Sequence, residues 1–147
     1  MDCLFCKIID GSIPSKTIYE DDVVKVFLDI NPCTNGHCLI IPKKHVVTVN
    51  DIDDDISVHI LKVEKIIYNL LKEKLNIKGL TIVQNNDLGQ EVKHYHVHLI
   101  PRYEINECNI THSDSAISDV DDIFDKIKEW KQIILNKKRR TRFFLFY

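Results

Sequence analysis

His94-Tyr95-His96-Val97-His98-Leu99-Ile100 decides the fold. Histidine occupies every second position, and Tyr95, Val97 and Leu99 fill the places between. Successive side chains of a β-strand point to opposite faces. The spacing therefore predicts a strand over Lys93–Pro101, with His94, His96 and His98 on one face and the apolar partners in a core. Neighbouring imidazoles on that face would stand roughly 7 Å apart. Each can act near neutral pH as nucleophile, proton donor or metal ligand. The plain alternative is a polar sheet face. Three of the chain's seven histidines fall within five positions, which favours chemistry.

Working outward, Leu80–Val83 reads as the preceding strand and Gln84–Gln90 as a polar loop. Thr17–Glu20, Val23–Ile30 and His37–Ile41 read as three further strands, joined by Asp21-Asp22 and the turn cluster Asn31–Gly36. They form an antiparallel meander. Between them and Leu80 the period changes. Ile56, Ile60, Val63, Ile67 and Leu70 recur at spacings of three and four, which predicts one long amphipathic helix within 50–77. Asp51, Asp53, Asp54 and Asp55 favour its N-terminal end, Lys72 and Lys74 its C-terminal end, and Gly79 stops it. Residues 4–9 form a short apolar segment of one or two helical turns. The fold class is α+β: a mostly antiparallel five-stranded sheet with one long central helix.

From residue 104 the character changes. Asn106–Asp119 is polar. Val120, Ile123, Phe124, Ile127, Trp130 and Ile134 then recur at helical spacing, before the basic cluster and aromatic tip K-K-R-R-T-R-F-F-L-F-Y. The domain organisation is read as 1–103 for the core domain and 104–147 for a C-terminal extension. The basic end reads as solvated, with a localisation signal or polyanion patch as alternatives.

Composition narrows the function classes. Apolar content of 44%, charged content of 29% and net charge −2 suit a soluble globular domain and give no case for nucleic acid. No apolar run approaches the roughly 18 residues of a membrane span, and no signal peptide is read. Cytoplasmic placement is expected, with the nucleus also open. Five cysteines give no disulfide framework. Cys3 and Cys6 read as thiols or metal ligands, and Cys33, Cys38 and Cys108 as small side chains. His59 and His112 read as exposed and idle.

H-Y-H-V-H-L-I fits His-φ-His-φ-His-φ-φ and resembles the signature of the histidine-triad (HIT) nucleotide-binding superfamily. C-L-F-C-K-I-I-D-G-S-I-P-S, F-L-D-I-N-P-C-T-N-G-H-C-L-I-I-P-K-K-H and G-Q-E-V-K-H-Y-H-V-H-L-I-P-R are similar to that family in the right order. The likeness covers residues 3 to 103 and is closest to the HINT-like branch of nucleoside phosphoramidate hydrolases. It implies attack by an imidazole on the α-phosphorus of a purine nucleoside monophosphate conjugate, giving a nucleotidyl-histidine that water hydrolyses. His96 is the implied nucleophile, His98 its partner at the phosphate and leaving group, and His37 the histidine that orients His96. Asp29 is the implied ribose acceptor, Asn85 a polar contact, and Gly89, Gln90, Glu91 and Val92 the phosphate loop. Phe5, Ile8, Phe27, Leu28 and Ile30 are expected to wall the base.

The resemblance to zinc-bearing relatives adds His45 and His94 to Cys3 and Cys6 as a structural zinc set. No catalytic metal is required. A homodimer with joined sheets is implied. Glu91 stands where many phosphoramidate hydrolases carry a small hydroxyl side chain. The Gln and Lys placement of Q-E-V-K-H also matches the diadenosine polyphosphate hydrolases. That activity, or a purine nucleotide-binding interaction protein with little catalysis, is the alternative reading.

Overall fold

The computed structural model describes residues 2–105 and 119–128. The chain divides into two compact units, residues 1–109 and 110–147. The first contains α1 (Leu4–Ile9), β1 (Thr17–Glu20), β2 (Val24–Leu28), β3 (Cys38–Pro42), α2 (Asp54–Leu75), β4 (Gly79–Val83) and β5 (Val97–Arg102). The five strands form one sheet in the order β1-β2-β3-β5-β4, with every neighbouring pair antiparallel. The expected α+β architecture is present.

Strand alternation sorts side chains between two cores. Val24, Val26, Cys38, Ile40, Val97 and Leu99 face α2 and pack with Ile60, Val63, Ile67 and Leu71. Those helix residues lie three and four apart, so one stripe of α2 covers the sheet. Phe27, Leu39 and Ile41 project from the other face and pack with Phe5 and Ile8 of α1. Both faces of the central strands are covered, so β3 is buried at all five positions. Among the described residues no helix is long and apolar enough to cross a membrane.

The turns place the chemistry. Asp21 closes the β1–β2 hairpin: its Oδ1 accepts from the N–H groups of Val23 and Val24, each at 2.8 Å. Gly36 has φ +83°, and an added Cβ would lie 2.5 Å from Leu75 Cδ1. A left-handed residue packed this closely calls for glycine, and the turn it makes delivers His37 to the start of β3.

Several boundaries differ from the sequence reading: β2 covers Val24–Leu28 where Val23–Ile30 was expected, and β3 covers Cys38–Pro42 where His37–Ile41 was expected. α2 begins at Asp54 and ends at Leu75, capped by Asn76 in the left-handed conformation (φ 53°); Gly79 opens β4 instead. β5 begins at Val97, so His94 and His96 precede the regular ladder. The reason lies in the backbone: Tyr95 N–H donates to Val46 O at 2.7 Å, and His94 N–H turns back to Val92 O at 2.8 Å.

In the second unit α3 (Val120–Ile127) is capped by Asp119, whose side chain accepts from the N–H groups of Asp121 and Asp122. Val120, Ile123, Phe124 and Ile127 recur along it at helical spacing. Trp130, Ile134, His112, Cys108 and the basic-aromatic end lie outside the described residues.

Candidate active site and metal centre

The antiparallel pairing of β2, β3 and β5 gathers the site. Asp29 follows β2, His37 precedes β3, and the Asp29 N–H donates to the His37 carbonyl at 3.0 Å. On the other side of β3, Leu39 stands opposite His98. His37, His98 and Asp29 therefore meet at one end of the sheet, on the α1 face. His96 lies beside them, its ring centroid 5.0 Å from that of His98. Phe5 of α1 sets its ring edge-on to His96 at 5.2 Å and to His94 at 5.9 Å. The three alternating histidines do share one side of the chain.

Hydrogen bonds assign the tautomers. A carbonyl only accepts, so the 2.7 Å contact between His96 Nδ1 and His94 O puts the proton on Nδ1. The lone pair of neutral His96 is then on Nε2. His37 Nδ1 accepts from the Cys33 N–H at 3.1 Å, so the His37 proton sits on Nε2. That proton is donated to His98 Nδ1 at 3.0 Å, which leaves His98 with N–H at Nε2. The pair is a lone-pair imidazole beside an N–H-donating one.

Burial keeps His37 and His98 neutral. It lowers the proton affinity of His37, against the opposing pull of the Asp29 carboxylate. It lowers His98 further, to about 4, helped by His96 and His37 and again opposed by Asp29. Asp29 Oδ2 stands 3.6 Å from His37 Nε2 and 4.0 Å from His98 Nδ1. At neutral pH these are contacts of a carboxylate with neutral rings and not ion pairs. The three groups are close enough to enclose a cation. The proton shared by His37 and His98 occupies that space, and His37 Nδ1 is already an acceptor.

A cleft of about 930 Å³ opens over this face, near the upper end of small-molecule sites. His37, His96, His98, Asp29, Asn85, Gly89, Glu91 and Val92 line it. So do the five expected wall residues. Phe5, Ile8 and Phe27 are buried and belong to the core as well, whereas Leu28 and the 88% exposed Ile30 form the rim. The sequence reading missed the wall made by Ile13, Pro14, Ser15 and Lys16, together with Leu39, Val83 and Ile100. Ile13–Lys16 read as an ordinary turn, and its place in the cleft comes from Lys16 O accepting the Leu28 N–H.

Gln90 is a correction. It was expected to face phosphate with the rest of its loop. It is 4% exposed, is absent from the cleft lining, and donates from Nε2 to Val47 O (2.7 Å) and His94 O (3.4 Å). The loop places Gly89 and Glu91 outward and turns Gln90 beneath. His59 is a second correction. It is not idle: Nε2 lies 2.8 Å from Asp21 Oδ2, which also accepts from Tyr19 OH.

Cys3, Cys6, His45 and His94 converge and are positioned to bind a metal ion, with all four ligand atoms within 4.8 Å of one another. The edges are 3.5 and 3.7 Å from His94 Nδ1 to Cys3 and Cys6 Sγ, 3.3 Å from Cys6 Sγ to His45 Nδ1, and 3.3 Å between the two Nδ1 atoms. A tetrahedral zinc with ordinary bond lengths needs edges of roughly 3.3 Å for N–N and roughly 3.6 Å for N–S. The donor set fits. His94 donates from Nε2 to Pro42 O at 2.8 Å, which fixes its tautomer with the Nδ1 lone pair inward. None of the four residues lines the cleft.

Residues 10–105 match the HIT domain, and the chain belongs to the HIT family. It is 44% identical over 128 residues to an uncharacterised HIT-like protein of Methanocaldococcus jannaschii, covering 86% of this chain and 98% of that protein. It is 42% identical over 106 residues to an adenosine 5′-monophosphoramidase of Candida albicans, covering 68% and 70%. Among solved structures it is similar to a zinc-bound histidine triad family protein from Mycobacterium smegmatis, with TM-score 0.70, 33% identity and coverage of 78% and 84%. Family and relatives support a hydrolase that acts on nucleotides.

Proposed function

We propose that the protein hydrolyses nucleoside phosphoramidates through a nucleotidyl-histidine, with His96 as nucleophile. The observation that carries this is the His96 Nδ1–His94 O bond, which leaves a neutral Nε2 lone pair on a ring that lines the cleft. Nε2 forms a bond to the α-phosphorus as the bond from phosphorus to the amine breaks. His98 Nε2–H stands ready to donate to the departing nitrogen or a phosphate oxygen. The proton held between His37 and His98 keeps that donor in the right tautomer. Water then cleaves the phosphorus–imidazole bond and releases the nucleoside monophosphate.

In this reading Asp29 accepts from the ribose hydroxyls, Asn85 adds a polar contact, and Gly89, Glu91 and Val92 flank the phosphate. Phe5, Ile8, Phe27, Leu28 and Ile30 hold the purine. Cys3, Cys6, His45 and His94 would hold zinc, which suits their donor chemistry. Bound there, it would anchor α1 to the segment carrying His96, while the chemistry is carried by the histidines of the cleft. A HIT domain over 1–103, an extension over 104–147, a homodimer and cytoplasmic placement complete the reading.

The test is a comparison of kcat/KM for adenosine phosphoramidate and diadenosine polyphosphates. Preference for the phosphoramidate is expected. The reverse preference would move the protein to the diadenosine polyphosphate hydrolases. Tight nucleotide binding without turnover of either would make it a binding protein.

A further inference from the structure

We propose that Gln90 is a positioning residue that holds the nucleophilic imidazole through the carbonyl it bonds to. This rests on the reading of His96 as nucleophile. The His94 carbonyl accepts from His96 Nδ1 at 2.7 Å and from Gln90 Nε2 at 3.4 Å. The same Gln90 nitrogen reaches Val47 O at 2.7 Å. One amide thus ties two carbonyls: one next to the nucleophile, the other two residues beyond the metal-positioned His45.

The side chain is spent on this arrangement. Gln90 is buried, and its Oε1 has no protein partner among the described residues. An unpartnered buried amide oxygen is costly. Rotating the amide by half a turn would not help, because it would set oxygen against two carbonyl oxygens. The orientation of Nε2 is therefore fixed by its two acceptors.

The consequence concerns the tautomer. His96 Nε2 attacks only while the ring proton is on Nδ1, and that proton needs the His94 carbonyl in place. His94 has its imidazole among the metal-positioned groups and its N–H on Val92 O. Its carbonyl is steadied from the side by Gln90 alone among described side chains other than His96 itself. The peptide group keeps its Tyr95 N–H bond to Val46 O at 2.7 Å on the opposite edge; without the amide the carbonyl edge can tilt about that anchor, and His96 gains access to the tautomer protonated on Nε2, which cannot attack.

The test uses full-length, metal-loaded protein with Gln90→Met, which keeps length and removes both donors. Nitrogen-15 shifts of the His96 ring report the tautomer, and steady-state kinetics with adenosine phosphoramidate report its effect. The wild type is expected to show the Nδ1–H form. The variant is expected to show a mixture, with kcat lower by about ten- to a hundredfold and KM within about twofold. Gln90→Asn, too short to span both carbonyls, should behave likewise and serves if the Met variant does not fold. An unmixed Nδ1–H tautomer in a folded variant overturns the proposal, as does kcat within twofold of wild type. A wild-type His96 protonated on Nε2 overturns it without any variant. If the tautomer mixes as expected but His96 is never nucleotidylated, the positioning role stands and the proposed reaction fails.

Discussion

His96 Nδ1 lies 2.7 Å from the carbonyl oxygen of His94, and the imidazole of His94 lies within the metal-positioned cluster. One residue thus serves two sites: its side chain faces the Cys3–Cys6–His45 group and its backbone holds the ring of His96, the proposed nucleophile. Asymmetric losses follow. If His96 is the nucleophile as proposed, His96→Ala removes the attacking lone pair and should lower turnover by several orders of magnitude. His98→Ala removes the proposed assisting donor and should cost about 10²–10⁴-fold. Nucleoside monophosphate affinity should hold in His96→Ala, because Asp29 and the apolar wall remain. Calorimetric titration beside steady-state kinetics checks the split; equal losses in both variants would refute it.

The metal cluster yields a separate prediction. Purified protein should carry about one zinc per chain, as a closed four-ligand site requires. Cys6→Ser should lose the metal and lower the melting temperature, while measurable hydrolysis survives, since the cluster is outside the cleft. Elemental analysis with thermal unfolding decides it. Metal-free wild type of unchanged stability would rule the site out.

How far the sequence carried can be judged at His94. Alternation placed the three histidines on one side of the chain, and they are there. It could not show that the strand ladder starts only at Val97, because Tyr95 pairs with Val46 in a distant loop. Gln90 was read by resemblance as part of a phosphate loop; its burial was not legible, since its acceptors lie at Val47 and His94. His59 looked solvated from its place on α2; its partner Asp21 is 38 residues away. The helix stop was misplaced at Gly79 because asparagine, too, takes the left-handed cap.

Acidification should weaken folding through His98. In the unfolded chain its imidazole titrates near the ordinary value of 6.5, whereas in the fold it resists protonation down to about 4. The unfolded state therefore binds more protons in this window. The stability His98 contributes is intact above pH 6.5 and is lost as pH falls towards 4. His37 acts in the same direction. Urea midpoints at pH 7.5 and 5 should fall less in His98→Asn than in wild type. An equal fall in both would show that His98 does not carry the effect.

Asp21 should matter for stability and not for chemistry. Burial pushes its carboxyl up, but bonds from Val24, His59, Val23 and Tyr19 outweigh this and hold it well below the usual carboxylate range. Asp21→Ala strands those donors and should cost about 2 kcal/mol of folding stability. Chemical denaturation measures the cost, and kcat for adenosine phosphoramidate should stay within about twofold. A loss under about 0.5 kcal/mol would mean that water replaces the carboxylate fully.

The central claim is tested most directly by trapping the intermediate. The full chain is mixed with adenosine phosphoramidate, quenched within milliseconds, digested and read by mass spectrometry. The account predicts an adenylyl group on the peptide containing His96, attached at that residue, and none in His96→Ala. Turnover with no adduct at His96, or an adduct retained in His96→Ala, would contradict it.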